Sequence, residues 1–596
     1  MRDPQNEPPT AVSTWKRALQ WVDEFGLFAL AGFLLAFIPL YPKIPLFSPI
    51  EQYIVRVRLE DIILLITAIW WGVQVLRRKV NFRSPITGLI CAYAVVGLLS
   101  LISAGWIIHT IPIQPLHLGK SFLHYFRYLE YFSLFFIVFS ALKKRSQVWT
   151  ILAVFAMTII GISVYGYGQK FYYWPVYSTM NREFSKGVRL YLTPHARVQS
   201  TFAGHYDMAA FLVVALPIIL AVWYQLKGRK QRLFFGAAYW IGTWLIIVSA
   251  SRTSFLAFVS GMLAVIFFTG IRQTQWWRML WFWVSRGALM VGVTGMMFMV
   301  FGEDLQERLS QVLSSNPVVY AQFHELNKQR KDLILKLTGQ YATAPTPPPN
   351  SISTDDAITS GVLTPTDTLP EPVKPVDTYD TDVPEPVLIA TSSDPSIPPV
   401  LQYRERVWSP CAQEKGLSLC IRLETLWPRA IKGFLRNPLL GSGYATLNKD
   451  AVEQFTEAES TDNNFLRTLG ETGLLGFITF YGCVAVICWY AVRSLRSKDE
   501  LSVALSVGVL GASIGLLLNA IYIDVFAASK VALTYWGFAG VFFAQRALSR
   551  TTANVDSVKP LRVLPNLSPL KDVPSLKLTP AKARTPKRST KKSRRR

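Results

Sequence analysis

Residues 461–476 read TDNNFLRTLGETGLLG, a polar stretch that runs directly into an apolar segment. A second signal lies just upstream, where residues 437–443 read NPLLGSG. Long apolar blocks surround both stretches. The two stretches therefore place a large polar insertion where a membrane helix meets the aqueous phase. At such a position a lipid-borne molecule in the bilayer can meet a polar partner from solution.

The composition excludes an ordinary soluble protein. Of the 596 residues, 51% are hydrophobic and 13% are aromatic. The apolar residues form blocks of roughly 20, long enough for a helix to cross a hydrocarbon core of about 30 Å. Backbone polar groups in lipid must be satisfied internally, so we predict an all-α polytopic membrane helix bundle. About twelve spans are predicted, near residues 25–41, 59–76, 85–107, 119–141, 147–167, 205–226, 233–250, 253–271, 283–301, 468–492, 501–523 and 525–546.

Lys and Arg in the short loops predict the orientation. With twelve spans, these basic loops fall on the same side as both termini, which the positive-inside rule assigns to the cytoplasm. We therefore expect a multi-pass protein of the cytoplasmic (inner) membrane. No cleavable signal peptide is indicated, because the first apolar block is followed at once by others. The predicted organisation is a cytoplasmic N-terminal segment (1–24), nine spans (25–301), an extracytoplasmic loop (302–467), three spans (468–546) and a basic cytoplasmic tail (547–596).

The extracytoplasmic loop has three predicted parts. Residues 303–340 have a helical spacing of Leu, Val and Ile. Residues 341–400 contain 13 Pro and 9 Asp or Glu against one Lys, a composition typical of a disordered acidic linker. The following stretch, LETLWPRAIKGFLR, is typical of an amphipathic helix that stops at Asn437, with Gly441 and Gly443 in a turn.

The tail supplies nearly half of the net charge of +24, with 13 Lys or Arg and 2 Asp from residue 551 onward. Prolines space these charges, which is typical of a disordered arm. The arm either reinforces the topology or is attracted to anionic headgroups of the inner leaflet. We expect membrane lipids as partners and no nucleic-acid partner.

Two of the five cysteines, Cys411 and Cys420, lie nine positions apart in the predicted outer loop. They are either a disulfide, which an oxidising compartment favours, or two reduced thiols. The cysteines and the six histidines have no metal-ligand spacing, so we expect no metal site and no cofactor.

Arginines at the membrane boundary are the candidate binding groups. Arg252, in SASRTSFLAF, lies between two spans with almost no loop, so its guanidinium should lie at the outer mouth. Arg197 precedes another span on the same side, with Arg189 nearby. Guanidinium groups bind phosphate oxygens in a bidentate way, and two of them suit a diphosphate. The alternative is that each pairs with a carboxylate or extends to lipid headgroups.

Three motifs occur in order along the chain: RVQSTFAGHYD from Arg197, SASRTS around Arg252, and NPLLGSG followed by DNNFLRTLGETGLLG. In this order the segment from about 190 to 480 resembles the O-antigen ligase / O-antigen polymerase family of bacterial envelope proteins. The resemblance implies a metal-independent glycosyltransferase that uses a glycan carried on a polyprenyl diphosphate. It also implies that Arg197 and Arg252 hold the diphosphate, and that a catalytic histidine lies in an H-N-x-F/Y-L pattern of the outer loop.

The chain departs from the family pattern at this histidine, where Asp462 stands. We predict Asp462 as the base that deprotonates or orients the acceptor hydroxyl, a role a positioned carboxylate can fill. Two alternatives stay open: the chain is not a competent transferase, or another group is the base. The other candidates for that base are Glu471, His324 and Glu457.

Further charged residues have candidate roles. Arg422 and Arg436 are possible additional phosphate ligands, and Glu471 either has a catalytic task or complements a helix dipole. Arg127 and Glu130 are three residues apart, so they either pair on one helix face or contact a lipid headgroup.

Three functions remain open on the sequence. A ligase transfers a finished glycan to a different acceptor, which is a glycan, a lipid or a protein. A polymerase joins repeat units on the same carrier, and an exporter or flippase moves the glycan without chemistry. The long outer loop suits a bulky acceptor, so we favour the ligase. The clustering of arginines at one mouth disfavours a transport pathway, which needs charges along its length.

Overall fold

Twelve long helices form the described part of the chain, at positions that match the twelve predicted spans. The computed structural model describes residues 14–50, 56–179, 184–193, 196–306, 309, 325, 328, 385–389, 400–404, 410–411, 417–447 and 460–557. The helices are α1 (Thr14–Leu40), α2 (Leu59–Leu76), α3 (Thr87–Ile102), α4 (Pro115–Ala141), α5 (Arg145–Tyr172), α6 (His205–Gln225), α7 (Arg229–Val248), α8 (Arg252–Gly270), α9 (Trp276–Phe301), α10 (Leu417–Cys420), α11 (Trp427–Arg436), α12 (Asn464–Ser494), α13 (Glu500–Asn519) and α14 (Ser529–Ser557).

Short elements complete the described structure. π-Helical turns at Ser103–Ile107 and Ile421–Leu426 follow α3 and α10, and a 3₁₀ turn forms at Phe184–Lys186. Two antiparallel strand pairs form, β1 (Pro45–Phe47) with β2 (Val57–Arg58), and β3 (Glu385–Ile389) with β4 (Val400–Arg404).

The predicted all-α polytopic bundle is confirmed. Within the described residues, ten helices are long and apolar enough to cross a membrane. They are α1, α2, α3, α5, α6, α7, α8, α9, α12 and α13. The other two predicted spans correspond to α4 and α14, which are helical but more polar. In α4 the polarity comes from Lys120, Arg127 and Glu130.

Helices α6 and α13 form the centre of the bundle. Both are apolar on all sides, and most of their side chains are buried, as expected for helices enclosed by others. Small residues bring the backbones close: a Cβ on Gly511 would lie 2.8 Å from the carbonyl oxygen of Gly261, and one on Gly515 would lie 2.8 Å from that of Ala257. Such close approach through small residues is typical of helix packing in membranes.

The predicted linker differs from expectation in one place. Within residues 341–400, which we expected to lack regular structure, β3 forms and pairs with β4. The reason is local composition, since Val387, Leu388 and Ile389 face Gln402, Leu401 and Val400 in the register, and β-branched and apolar residues favour strands. The rest of that linker, most of the predicted helical segment 303–340 and the tail from 558 lie outside the described residues.

Candidate functional site

The turn at residues 437–443 packs backbone against backbone on a bend in α12. The bend is at Gly473, whose φ of +65° interrupts the helix. A Cβ on Gly473 would lie 2.4 Å from the carbonyl oxygen of Leu439. Gly441 has a φ of +71°, and a Cβ there would lie 2.5 Å from the backbone nitrogen of Thr472. Any side chain larger than that of glycine would clash at both positions. The contact between the turn and the bend therefore explains the glycine in each of the two sequence motifs.

Backbone hydrogen bonds join the turn to the bend. The N–H groups of Ser442, Gly443 and Leu474 donate to the carbonyls of Gly470, Glu471 and Pro438 over 2.8, 3.0 and 2.8 Å. The buried carboxylate of Glu471 accepts from the N–H of Ala445 at 3.1 Å and lies 3.4 Å from the Arg467 guanidinium. Glu471 therefore stabilises this turn, a structural role that the dipole hypothesis did not include.

Asp524, between α13 and α14, fixes the polar loop that leads into α12. Its carboxylate accepts from the backbone N–H groups of Thr461 and Asn463 at 2.9 and 3.1 Å, and from the Ser460 hydroxyl at 2.9 Å. It also lies 3.0 Å from the guanidinium of Arg467. One buried carboxylate thus sets the path of the chain on both sides of the intervening residue, Asp462.

Asp462 lies in this loop with a φ of +48°, in the left-handed region. Its carboxylate is 2.8 Å from the Arg422 guanidinium and accepts a 2.8 Å hydrogen bond from the Ser460 hydroxyl. The side chain is 33% exposed. Burial raises the pKa of Asp462, while Arg422 opposes this rise.

Arg197 lies before α6 and contacts the first residues of that helix. Its Nη1 is 2.6 Å from the Nε2 of His205 and 3.2 Å from the Tyr206 hydroxyl. Because a guanidinium only donates, the Nε2 of His205 accepts, which corresponds to the neutral tautomer with the proton on Nδ1. Arg197 and this aromatic pair therefore form one polar group at the start of α6.

Arg252 interacts electrostatically both with the polar group around Arg197 and with Arg422, the partner of Asp462. It is the first residue of α8 and is half-buried. It lies within electrostatic range of Tyr206, Arg197 and Arg422. We call Arg197, Arg252, Arg422 and Asp462 the arginine cluster, and the end of the bundle at which it lies the site end. Residues far apart in sequence therefore converge at one end, around the partly buried carboxylate of Asp462.

Residues 237–481 match the family model described as O-antigen ligase. This part of the chain is similar to the O-antigen ligases. No curated protein matches the chain. That family consists of glycosyltransferase-like ligases and polymerases that act on lipid-linked glycans in a membrane. Within the arginine cluster, Arg252, Arg422 and Asp462 belong to the matched range, whereas Arg197 precedes it.

Two sequence candidates have no observed contact with the arginine cluster among the described residues. Arg189 and Arg436 are exposed, and within the described part of the chain neither has a hydrogen bond or ion pair to a cluster member. His324 and Glu457, the other candidate bases, lie outside the described residues.

The disulfide cysteines lie next to the cluster in sequence. Cys411 and Cys420 are bonded, with their Cα atoms 5.8 Å apart. Arg422 follows two residues later, in the π-helical turn, where its Nη1 also donates to the carbonyl of Ser418 at 2.7 Å. The disulfide therefore restrains the segment that supplies this guanidinium. In the described ranges, no group of three or more His, Cys, Asp and Glu is placed to hold a metal ion.

Sequence reasoning missed several polar residues near the cluster. Arg467 and Asp524 form the buried pair that shapes the loop, and only Arg467 lay in a motif we examined. A cavity of about 170 Å³ adjoins this pair and is lined by Arg467, Lys43, Arg58 and Arg127. None of the arginine cluster lines this cavity. Of these five residues, Arg127 was already a candidate on the sequence. The signal available for the other four was a charge inside or beside an apolar segment.

Proposed function

We propose that this protein is an O-antigen ligase-like glycosyltransferase. In this proposal it moves a glycan from a polyprenyl-diphosphate carrier to an acceptor hydroxyl. The site end faces the outside of the cytoplasmic membrane, and both termini face the cytoplasm. The observation that carries the proposal is the contact of Asp462 with Arg422, within electrostatic range of Arg252.

The donor is bound through its diphosphate. Arg197 and Arg252 supply guanidinium groups suited to phosphate oxygens, and Arg422 adds a third positive charge beside them. Charge develops on the diphosphate as its bond to the sugar breaks, and fixed cations stabilise that charge. Polyprenyl diphosphate is already a good leaving group, so the reaction as proposed needs no metal.

The acceptor is activated by Asp462. An acceptor hydroxyl attacks the anomeric carbon, the bond from that carbon to the diphosphate oxygen breaks, and the hydroxyl proton passes to the carboxylate. A general base has to be close to the hydroxyl and to have a pKa near the working pH. Partial burial raises the pKa of Asp462 in that direction, and its partial exposure leaves it accessible from the loop side.

Purified full-length protein incubated with a lipid-linked oligosaccharide and an acceptor tests the proposal. We expect release of polyprenyl diphosphate and a glycosylated acceptor, with both lost in Arg252→Ala and Asp462→Ala, and no effect of a metal chelator. Products that grow on the lipid carrier itself would indicate a polymerase. Movement of intact donor between leaflets without diphosphate release would contradict transfer and indicate a flippase. Unchanged glycan profiles in cells with either variant would indicate a scaffold.

A further inference from the structure

The cavity beside the arginine cluster has a strongly basic lining. Lys43, Arg58, Arg127 and Arg467 contribute four cations from four separate parts of the chain. Asp207 is the one carboxylate among the lining residues. We call this space the basic cavity.

The carboxylates that pair with these cations stand behind the lining. Glu60 is 2.6 Å from Lys43, Asp61 is 2.8 Å from Arg127, and Asp524 is 3.0 Å from Arg467. None of the three acids lines the cavity. They therefore hold the cations in position while the cavity itself presents positive charge.

Arg58 is the exception among these cations. It is 7% exposed, yet among the described residues its side chain has no ion pair, and its Nε has no hydrogen-bond partner. Glu60 and Asp61 are near enough to interact electrostatically, and only the backbone N–H of Arg58 binds Asp61, at 2.9 Å. A buried guanidinium without a direct partner is costly, and an anion in the cavity would remove that cost.

The basic cavity adjoins the arginine cluster at two points. Asp207, which lines the cavity, directly follows Tyr206, whose hydroxyl accepts a hydrogen bond from Arg197. Arg467 shares Asp524 with Ser460, whose hydroxyl also binds Asp462. A ligand in this cavity would therefore lie beside the proposed reaction centre without using the arginines assigned to the donor.

We propose that the basic cavity is a second anion subsite that binds a phosphate group. Its position beside the donor site rests on the function proposed above. Arginine forks suit the oxygens of a phosphate, and a cavity of about 170 Å³ has room for one with its attached atoms. Two sources have this chemistry: a phosphate on the acceptor, and the headgroup of an anionic membrane lipid.

Calorimetric titration of the purified full-length protein with pyrophosphate tests the site itself. We expect two binding events in the unmodified protein, with one lost in Arg58→Gln and the other lost in Arg252→Gln. Arg58 is the appropriate position because its removal leaves no carboxylate without its ion-pair partner, unlike removal of Arg127. Arg58→Lys should keep the event with about tenfold weaker affinity, since one charge-assisted contact accounts for roughly that factor.

Arg56→Gln is the matched control. Arg56 lies two residues away, binds Ser185 at 3.4 Å and does not line the cavity, so both binding events should persist. Two events in Arg58→Gln, or one event in the unmodified protein that disappears in Arg252→Gln, would overturn the proposal. These outcomes do not depend on glycan transfer, so failure of the transfer assay would leave the binding result intact.

Two further measurements distinguish an acceptor phosphate from a lipid headgroup as the ligand. If the acceptor supplies it, Arg58→Gln should raise the KM for the acceptor about tenfold or more and leave the KM for the donor unchanged. If a lipid supplies it, nanodiscs of phosphatidylglycerol should weaken pyrophosphate binding in Arg252→Gln, relative to nanodiscs of phosphatidylcholine. Absence of both effects would contradict a substrate or lipid ligand for this cavity.

Discussion

At the residue scale, the loop around Asp462 combines backbone strain with tight anchoring. The left-handed conformation of Asp462 is uncommon for a residue with a side chain, although Asp tolerates it better than most. It persists because Asp524 binds the residues on both sides, Thr461 and Asn463. Backbone strain held in place by surrounding contacts often occurs at functional sites. The strained backbone therefore favours a role for Asp462 in which the orientation of its side chain matters for activity.

Replacement of Asp462 tests its role as the base. Asp462→Asn should lower kcat/KM by about 10²–10⁴-fold, the usual contribution of a general base. The base acts when deprotonated, so activity should fall as the pH drops through its pKa. Asp462→His should restore activity, with this fall at higher pH because histidine has the higher ordinary pKa. A pH profile of kcat/KM measures both effects, and full activity in Asp462→Asn would exclude this base.

Arg422 should set the pH range in which Asp462 is active. The positive charge of Arg422 lowers the pKa of Asp462 against the effect of burial. Arg422→Gln should therefore raise the pKa of Asp462 and shift the acid side of the profile to higher pH. Arg436→Gln is the control, since that arginine is exposed in the same segment. A profile for Arg422→Gln that overlays the unmodified protein would contradict this coupling.

At the element scale, α12 bends at Gly473, close to the end of the helix that follows the polar loop. The first part of the helix, from Asn464 to the bend, carries Arg467 and Glu471, and the part after Gly473 continues as a membrane helix. The turn at 437–443 binds across the bend through backbone groups and through the Ser442 hydroxyl, which donates to the Gly470 carbonyl at 3.0 Å. The packing of this turn on α12 therefore depends on close backbone contact at two glycines, Gly441 and Gly473.

Gly473→Ala tests this dependence. The new methyl group would meet the Leu439 carbonyl at 2.4 Å, and the φ of +65° is strained for alanine. We expect a loss of stability of about 1–3 kcal/mol or more, seen as a lower midpoint of thermal unfolding in detergent. Gly482→Ala in the same helix is the matched control, because its Cβ would meet only Leu89, at 3.6 Å. Equal midpoints for the two variants would show that the bend does not require glycine.

The bend also marks the limit of what sequence can predict at this scale. Apolar periodicity predicted a span from about 468, and a helix is present there. The break at Gly473 depends on contact with Leu439 and Gly441, about thirty positions away, which a local pattern does not contain. The pairing of Arg127 with Glu130 was foreseeable from their spacing and is present at 3.0 Å. Its second partner, Asp61, required the tertiary fold.

At the scale of the whole molecule, composition was informative because membrane helices must satisfy their own backbone. The apolar blocks predicted twelve helices, and twelve long helices occur in the described chain. The sequence predicted that Arg197 and Arg252 bind one diphosphate beside Asp462, with Arg422 as a further candidate ligand, but it did not predict the contacts between them. Their actual contacts, and the basic cavity beside them, depend on how α4, α6 and α12 pack. Such packing has no signature in a single sequence.

The orientation of the protein in the membrane can be tested with one residue on each side of α6. Arg189 precedes α6 and Lys230 lies in the first turn of α7, so α6 separates them, and both are exposed. We expect Arg189→Cys to react with a membrane-impermeant maleimide on intact cells, and Lys230→Cys to react only after permeabilisation. Cys91, Cys483 and Cys488 are replaced by serine beforehand, while the disulfide of Cys411 and Cys420 is kept. The reverse labelling would place the site end in the cytoplasm, where the proposed transfer at the outer face could not occur.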